Sequence, residues 1–174
     1  QVFNSVAPVT QNIGEASIEG FELELSASPA ESWFIEGSLA LLNAEYDTID
    51  TANTLIFENN EFERVPETTA SLGLSKEFSI SNAGTLLLRA DWSYRSETFN
   101  DAYNTPLLET DSYSLIDASA RWTNRDGDWT VIVSGTNLSD EEYLVTGVYG
   151  TAFQSLEGVY NRGRQWRVEV RKQF

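Results

Sequence analysis

The chain has 174 residues, with 27 acidic and 11 basic side chains, a formal net charge of −16, and no Cys, His or Met. Without His or Cys there is no Ser-His-Asp triad, thiolate nucleophile, disulfide frame, haem ligand or ordinary zinc site, and the acidity argues against nucleic acid, whose phosphates call for clustered Lys and Arg. The hydrophobic share of 41% is too high for a disordered chain, and no run approaches the roughly 20 apolar residues of a spanning helix. The first residues lack the basic start and apolar core of a signal peptide. Because the chain opens Gln1-Val2-Phe3 without Met, a processed or partial polypeptide is expected.

Apolar residues recur every second position, almost nowhere at the helical period. In chain order, Phe21, Leu23, Leu25 and Ala27 alternate with Glu22, Glu24, Ser26 and Ser28. Trp33, Ile35, Gly37, Leu39 and Leu41 share the next apolar face, blurred by Phe34, Ala40 and Leu42. Ala70, Leu72 and Leu74 oppose Thr69, Ser71 and Ser75; Leu86, Leu88, Ala90, Trp92 and Tyr94 oppose Arg89, Asp91, Ser93 and Arg95. Ile116, Ala118, Ala120 and Trp122 oppose Asp117, Ser119 and Arg121, and Trp129, Val131 and Val133 oppose Thr130 and Ser134. Last, Trp166, Val168, Val170 and Phe174 oppose Arg167, Glu169, Arg171 and Gln173, with Lys172 alone breaking the apolar face. The pattern predicts an all-β chain of seven strands, each about ten residues long.

Short links at Ser28 to Ser32, Ser79 to Gly84 and Asn124 to Asp128 alternate with long ones at Asp47 to Arg64, Ser96 to Ser112 and Ser139 to Gly163. The short links carry turn chemistry, including the Asp126-Gly127 pair suited to a tight hairpin. All short turns at one end and all long loops at the other is the pattern of an antiparallel transmembrane β-barrel segment. In lipid every backbone polar group needs a partner, so strands must close antiparallel and excursions belong in water. One face of each strand would then meet lipid and the other a wet lumen. Trp33, Tyr46, Phe78, Trp92, Tyr94, Trp122, Trp129, Trp166 and Phe174 gather toward strand ends, where aromatic rings suit the headgroup boundary. A soluble β-sandwich, which also alternates, is the plain alternative.

Three stretches resemble the TonB-dependent outer-membrane receptors: Gly20-Phe21-Glu22-Leu23-Glu24-Leu25, the box Asn137-Leu138-Ser139-Asp140-Glu141-Glu142-Tyr143, and Arg162-Gly163-Arg164-Gln165-Trp166 running to a terminal Phe174. Two positions depart from the usual pattern: Ser139 stands where Thr or a bulky residue is commoner, and Gly163 where many members have Pro. Lys172 occupies an outward position that is usually apolar, where snorkelling into headgroups would limit the cost to about 0–1 kcal/mol.

The resemblance implies a 22-stranded barrel closed around a plug, with residues 1–174 as its C-terminal portion and the plug and earlier strands outside this chain. It implies bacterial outer-membrane active transport of a scarce ligand such as a ferric siderophore. The partners it implies are the rest of the barrel, the plug, the TonB system, the assembly machinery and lipopolysaccharide. No catalysis or cofactor is implied. Seven strands fit the final third of such a barrel, since single-chain bacterial barrels have even strand numbers. Residues 1–14 would be the tail of an upward strand and its outer loop. Trp166, Val168, Val170 and Phe174 resemble the C-terminal signal read during outer-membrane assembly.

Ligand contact is expected in the long loops, where Phe99, Tyr103, Tyr149, Phe153 and Tyr160 supply aromatic surface. Asp47, Asp50, Glu58, Glu61 and Glu63 against Arg64 read as a solvated acidic loop before a cation site. Asn124 to Asp128 reads as a hairpin turn before a calcium loop. Glu22, Glu24, Arg89, Asp91, Arg95, Asp117, Arg121, Arg167, Glu169 and Arg171 are lumen charges expected to pair across strands. Two competing readings remain: a small adhesin or structural barrel with residues 1–15 as an eighth strand, and a soluble carbohydrate-binding β-domain.

Overall fold

A computed structural model describes residues 2–4 and 7–9 as backbone, and 12–51, 54–150 and 154–174 with side chains. Val2–Asn4 (β1) and Ala7–Val9 (β2) pair with each other. Then follow β3 (Gly14–Ala27), β4 (Trp33–Ile49), β5 (Thr68–Ser79), β6 (Thr85–Arg95), β7 (Thr98–Phe99), β8 (Glu109–Thr110), β9 (Tyr113–Thr123), β10 (Trp129–Thr136), β11 (Leu144–Gly150), β12 (Ser155–Tyr160) and β13 (Gln165–Lys172). Seven of these form one sheet in the order β13-β10-β9-β6-β5-β4-β3, each antiparallel to its neighbour. The pairs β7–β8 and β11–β12 are separate two-stranded sheets inside the long loops.

The register explains the alternation. Leu25, Gly37, Leu72, Trp92 and Ile116 stand opposite one another across five strands. Ile35, Leu74, Ala90, Ala118, Gly135 and Trp166 do so across six. A one-residue slip anywhere would move every apolar side chain to the wrong face, so the pattern fixes the register. The opposite face carries rows such as Glu36, Gly73, Asp91 and Asp117. Over it lies a hollow of about 620 Å³ lined by Glu24, Glu36, Arg89, Asp91 and Asp117 among others.

The apolar face is bare: Phe21 is 55% exposed, Leu25 56% and Val168 68%. A sandwich would cover it with a second sheet about 10 Å away, and no second sheet lies over it among the described residues. That overturns the soluble β-sandwich alternative. Each such side chain gains about 1.5–3 kcal/mol on leaving water, so this face calls for an apolar environment.

Three expectations need correction. The strands run from 8 to 17 residues, because β3 and β4 stay paired well beyond their apolar stretches, from Phe21 opposite Leu41 out to Gly14 opposite Ile49. The first long link therefore spans 50–67 and not 47–64, and the last spans 137–164. Lys172 is also not the one cation on the apolar face: Lys76, opposite Trp33 and Leu88, lies there too, its Nζ 4.5 Å from the Trp33 ring centre and 5.0 Å from that of Phe78. Lys172 makes a 3.8 Å ion pair with Asp128 and sits 4.5 Å over Trp129. Both cations thus lie against aromatic rings at the short-turn end, where charge–ring attraction offsets part of their desolvation.

The short turns fall at 28–32, 80–84 and 124–128. In the last, the Trp129 amide donates to Asn124 Oδ1 at 2.9 Å and Gly127 takes φ 77°, so the segment is a hairpin turn.

Candidate binding site at the base of the long loops

The three long loops are tied into one body. Arg64 N donates to the Phe99 carbonyl (2.9 Å), and Asn104 closes both ways on Glu61, accepting from its amide (2.6 Å) and donating to its carbonyl (3.0 Å). Asn60 Nδ2 donates to the Ala102 carbonyl at 2.9 Å. Thr110 Oγ1 donates to the Leu144 carbonyl, and Arg64 Nη2 to Thr146 Oγ1, which brings in the third loop. Apart from Gly73 of β5 and Gly135 of β10, the buried residues among those described lie here: Leu108, Leu144, Gly147, Asn60, Ser96, Thr98, Asn100, Thr110 and Asn137. Buried polar groups need partners, and Asn100 Nδ2 has two, the Leu108 carbonyl and Thr110 Oγ1.

The Asn137–Tyr143 box acquires a physical reason residue by residue. Asn137 is 6% exposed and left-handed (φ 51°), a conformation Asn tolerates. Its side chain donates to the Glu141 and Arg162 carbonyls and accepts from the Glu141 amide; its own amide donates to Asp117 Oδ1 at 2.8 Å. The Leu138 amide continues onto the Ile116 carbonyl. Asp140 Oδ1 accepts the Arg164 amide at 2.7 Å. Tyr143 stacks on Tyr113 with ring centres 3.8 Å apart and planes 7° from parallel.

That stack forms one wall of a pocket of about 180 Å³ whose lining also includes Arg64, Arg95, Thr98 and Asn100. Arg95 and Tyr113 lie opposite each other on the polar face of the sheet, and Arg95 Nη2 donates to the Arg64 carbonyl at 2.9 Å. Burial, and then Tyr113, push the Tyr143 hydroxyl above its ordinary value. Tyr46 and Phe62 make a second stack, at 4.3 Å.

Beside this pocket the loops are acidic. Burial first, and then Glu67, Glu97 and Glu109, raise the Glu61 carboxyl above its ordinary value. A carboxyl whose folded pKa exceeds its unfolded one weakens the fold when ionised, so acidification through that raised value stabilises the Glu61–Asn104 junction. Protection factors of the amides around residues 60–64, taken against the intrinsic exchange rate at each pH, should rise on acidification, and Glu61→Gln should flatten that dependence. An unchanged profile in the variant would refute the assignment.

The expected contact residues are dispersed. Phe99 is half-buried in β7, Tyr103 exposed in the following turn, Tyr149 exposed in β11 and Tyr160 exposed in β12; Phe153 lies outside the described residues. No ring contact joins them among the described residues. The aromatic pair brought together is Tyr113 and Tyr143. Tyr113 was legible, since its parity with Asp117 puts an aromatic ring on the polar face.

Lumen-side charges pair mostly along strands. Arg89 holds Asp91 and, across β5, Glu36, while Glu169 is shared by Arg167 and Arg171. Residues two apart share a face, so same-strand pairs compete with cross-strand ones. Among the described residues no group of three or more carboxylates is placed to hold a metal ion. Trp166, Val168 and Val170 lie on the apolar face opposite Gly135, Val133 and Val131, and Phe174 is fully exposed.

A single antiparallel layer, apolar on one face and polar on the other, with its long loops knotted at one end, defines a segment of a β-barrel receptor. Residues 1–138 match the family model of the TonB-dependent receptor-like β-barrel, and the chain belongs to that family. It is 26% identical over 141 residues to a probable TonB-dependent siderophore receptor, PiuA, of Acinetobacter baumannii, covering 76% of this chain and 18% of that protein. Its fold is similar to the ferric yersiniabactin uptake receptor FyuA of Yersinia pestis (TM-score 0.80, 22% identity, 94% of this chain and 24% of that one). It is also similar to the ferric preacinetobactin receptor BauA of A. baumannii (TM-score 0.71, 21% identity, 93% and 23%). The chain thus spans about a quarter or less of the relatives it matches.

Proposed function

We propose that this chain is the final third of the 22-stranded barrel of a plugged outer-membrane receptor that imports a ferric siderophore using energy from the TonB system. The observation that carries the reading is the uncovered apolar face of the sheet backed by a charged polar face, which suits strands between lipid and a wet lumen. Both edge strands, β3 and β13, have one side free in the sheet order, and the rest of the barrel would pair there. Ligand contact is assigned to the long loops, with Phe99, Tyr103, Tyr149, Phe153 and Tyr160 as candidates, and lipopolysaccharide to the outer part of the apolar face.

The test is iron-limited growth of a strain lacking the full-length receptor, fed single ferric siderophores. Loss of growth on one of them, restored by the intact gene, is the expected result. Unimpaired growth on all, with a defect on a vitamin or glycan instead, would replace the ligand class.

The terminal strand is assigned the assembly signal. Deleting Phe174 from the full-length receptor should cut the heat-modifiable, folded fraction in outer membranes severalfold, whereas Gln173→Ala, on the polar side, should not. Equal effects would remove the signal role.

A further inference from the structure

We propose that the pocket at Arg95 is an acceptor site for a carboxylate presented from the polar side of the sheet. The chain holds 27 acids against 11 bases. Arg64, Arg89, Arg164, Arg167, Arg171 and Lys172 each have a carboxylate within ion-pairing distance; Arg95, like Lys76, Arg121, Arg125 and Arg162, has none among the described residues, and burial sets it apart from those four. Its Nη2 reaches only a backbone carbonyl, that of Arg64. Its Nε is buried with no acceptor among the described residues. A buried donor left without a partner is costly, more so when charged.

No neighbouring acceptor reaches Arg95 Nε among the described residues. Asn100 Nδ2 donates to the Leu108 carbonyl and Thr110 Oγ1, and Thr110 donates onward to the Leu144 carbonyl. Tyr113 and Tyr143 form a stacked wall. Arg64 adds a second guanidinium to the lining, already paired with Glu63 at 3.5 Å. What lacks a carboxylate in this space is the Arg95 guanidinium, a planar fork of N–H donors that matches one. Glu97 and Glu109 adjoin Thr98 and Thr110 of the lining in sequence, which favours a single negative charge over a phosphate dianion.

Two sources present the same chemistry: an acidic side chain from the receptor outside this chain, or an acid group on the transported ligand. The inference rests on the reading of this chain as receptor barrel. The test is the structure of the full-length receptor, alone and with citrate as probe, with citrate titrations of the wild type, Arg95→Lys and Arg95→Gln. A receptor carboxylate on Arg95 in the citrate-free structure identifies the first source, and Arg95→Gln then lowers the melting temperature. An oxygen of citrate on Arg95, with binding at least tenfold weaker in Arg95→Gln and only partly restored in Arg95→Lys, identifies the second. No carboxylate on Arg95 in either structure overturns the inference, and a polar face turned away from the lumen overturns the receptor reading itself.

Discussion

Replacing Asn137 with Ala should free residues 137–164 from the sheet end at a local cost of about 3–4 kcal/mol. The figure follows from what one side chain holds. The Glu141 amide relies on it alone, and the Glu141 and Arg162 carbonyls would keep only Asn161 Nδ2, at a site 6% exposed, where a buried group left without a partner costs about 1–3 kcal/mol. Ala also takes the left-handed conformation (φ 51°) about 1–2 kcal/mol less readily than Gly. Hydrogen exchange on the full-length receptor reads the result: amides of Glu141 and Tyr143, and those of β11 and β12, should lose about two to three orders of magnitude of protection, since about 1.4 kcal/mol is a factor of ten. Those of β9 and β10 should keep theirs. Asn137→Gly keeps the backbone conformation and loses only the hydrogen bonds, so it should fall between the two. If Asn137→Gly matched wild type, the side-chain bonds would carry little and the account would fail.

The same residue shows what a sequence can and cannot disclose. Its box was recognisable as a motif, but the reason for it was not, because Asp117 and Arg162 are 20 and 25 positions away. The sheet itself was legible because lipid and lumen impose opposite demands on alternate residues, and seven strands with three short turns follow from that alone. Where this demand ends, so does legibility. Toward the chain start from Gly20, the face that carried Phe21, Leu23 and Leu25 turns polar, Glu19 opposite Asn43 and Ser17 opposite Glu45, while Ile18 and Ala16 opposite Ala44 and Tyr46 take the other side, so the outward apolar row that marks the strand stops before the strand does. Backbone hydrogen bonds do not depend on which side chains flank them.

The candidate site followed a similar division. Tyr113 could be placed on the polar face by parity and Tyr143 by its motif, yet their contact depends on the path of residues 137–164. Arg64 meets Arg95 across 31 positions, and its own conformation is left-handed (φ 60°), an uncommon state for a non-glycine that no local pattern announces. Single loop aromatics were therefore a poor guide to where the loops converge. Buried Leu108 and Leu144 were a better one, but only the fold reveals that they are buried.

Leu108 is where the loop body is most exposed to a single change. It is 2% exposed, at the end of the short 3-10 turn Pro106–Leu108, and it fills the space that Gly147 leaves open. A Cβ added at Gly147 would lie 2.7 Å from Leu108 Cδ2 and 3.3 Å from Leu144 Cδ2, closer than atoms normally pack. Leu108→Ala should therefore open a cavity beneath the β11–β12 hairpin and cost about 2–4 kcal/mol of local stability. Gly147→Ala should cost about 1–3 kcal/mol by overpacking. Because one change empties the volume that the other overfills, the double variant Leu108→Ala with Gly147→Ala should be less destabilised than the sum of the two. Proteolysis rates of the long loops in the intact receptor, measured for all four members of the cycle, supply the comparison. Strict additivity would mean that the two residues do not share a packed volume. Coupling would show that the hairpin is held down by this contact, and the tyrosine wall of the Arg95 pocket, which enters the hairpin at Tyr143, should then loosen in step with Leu108→Ala.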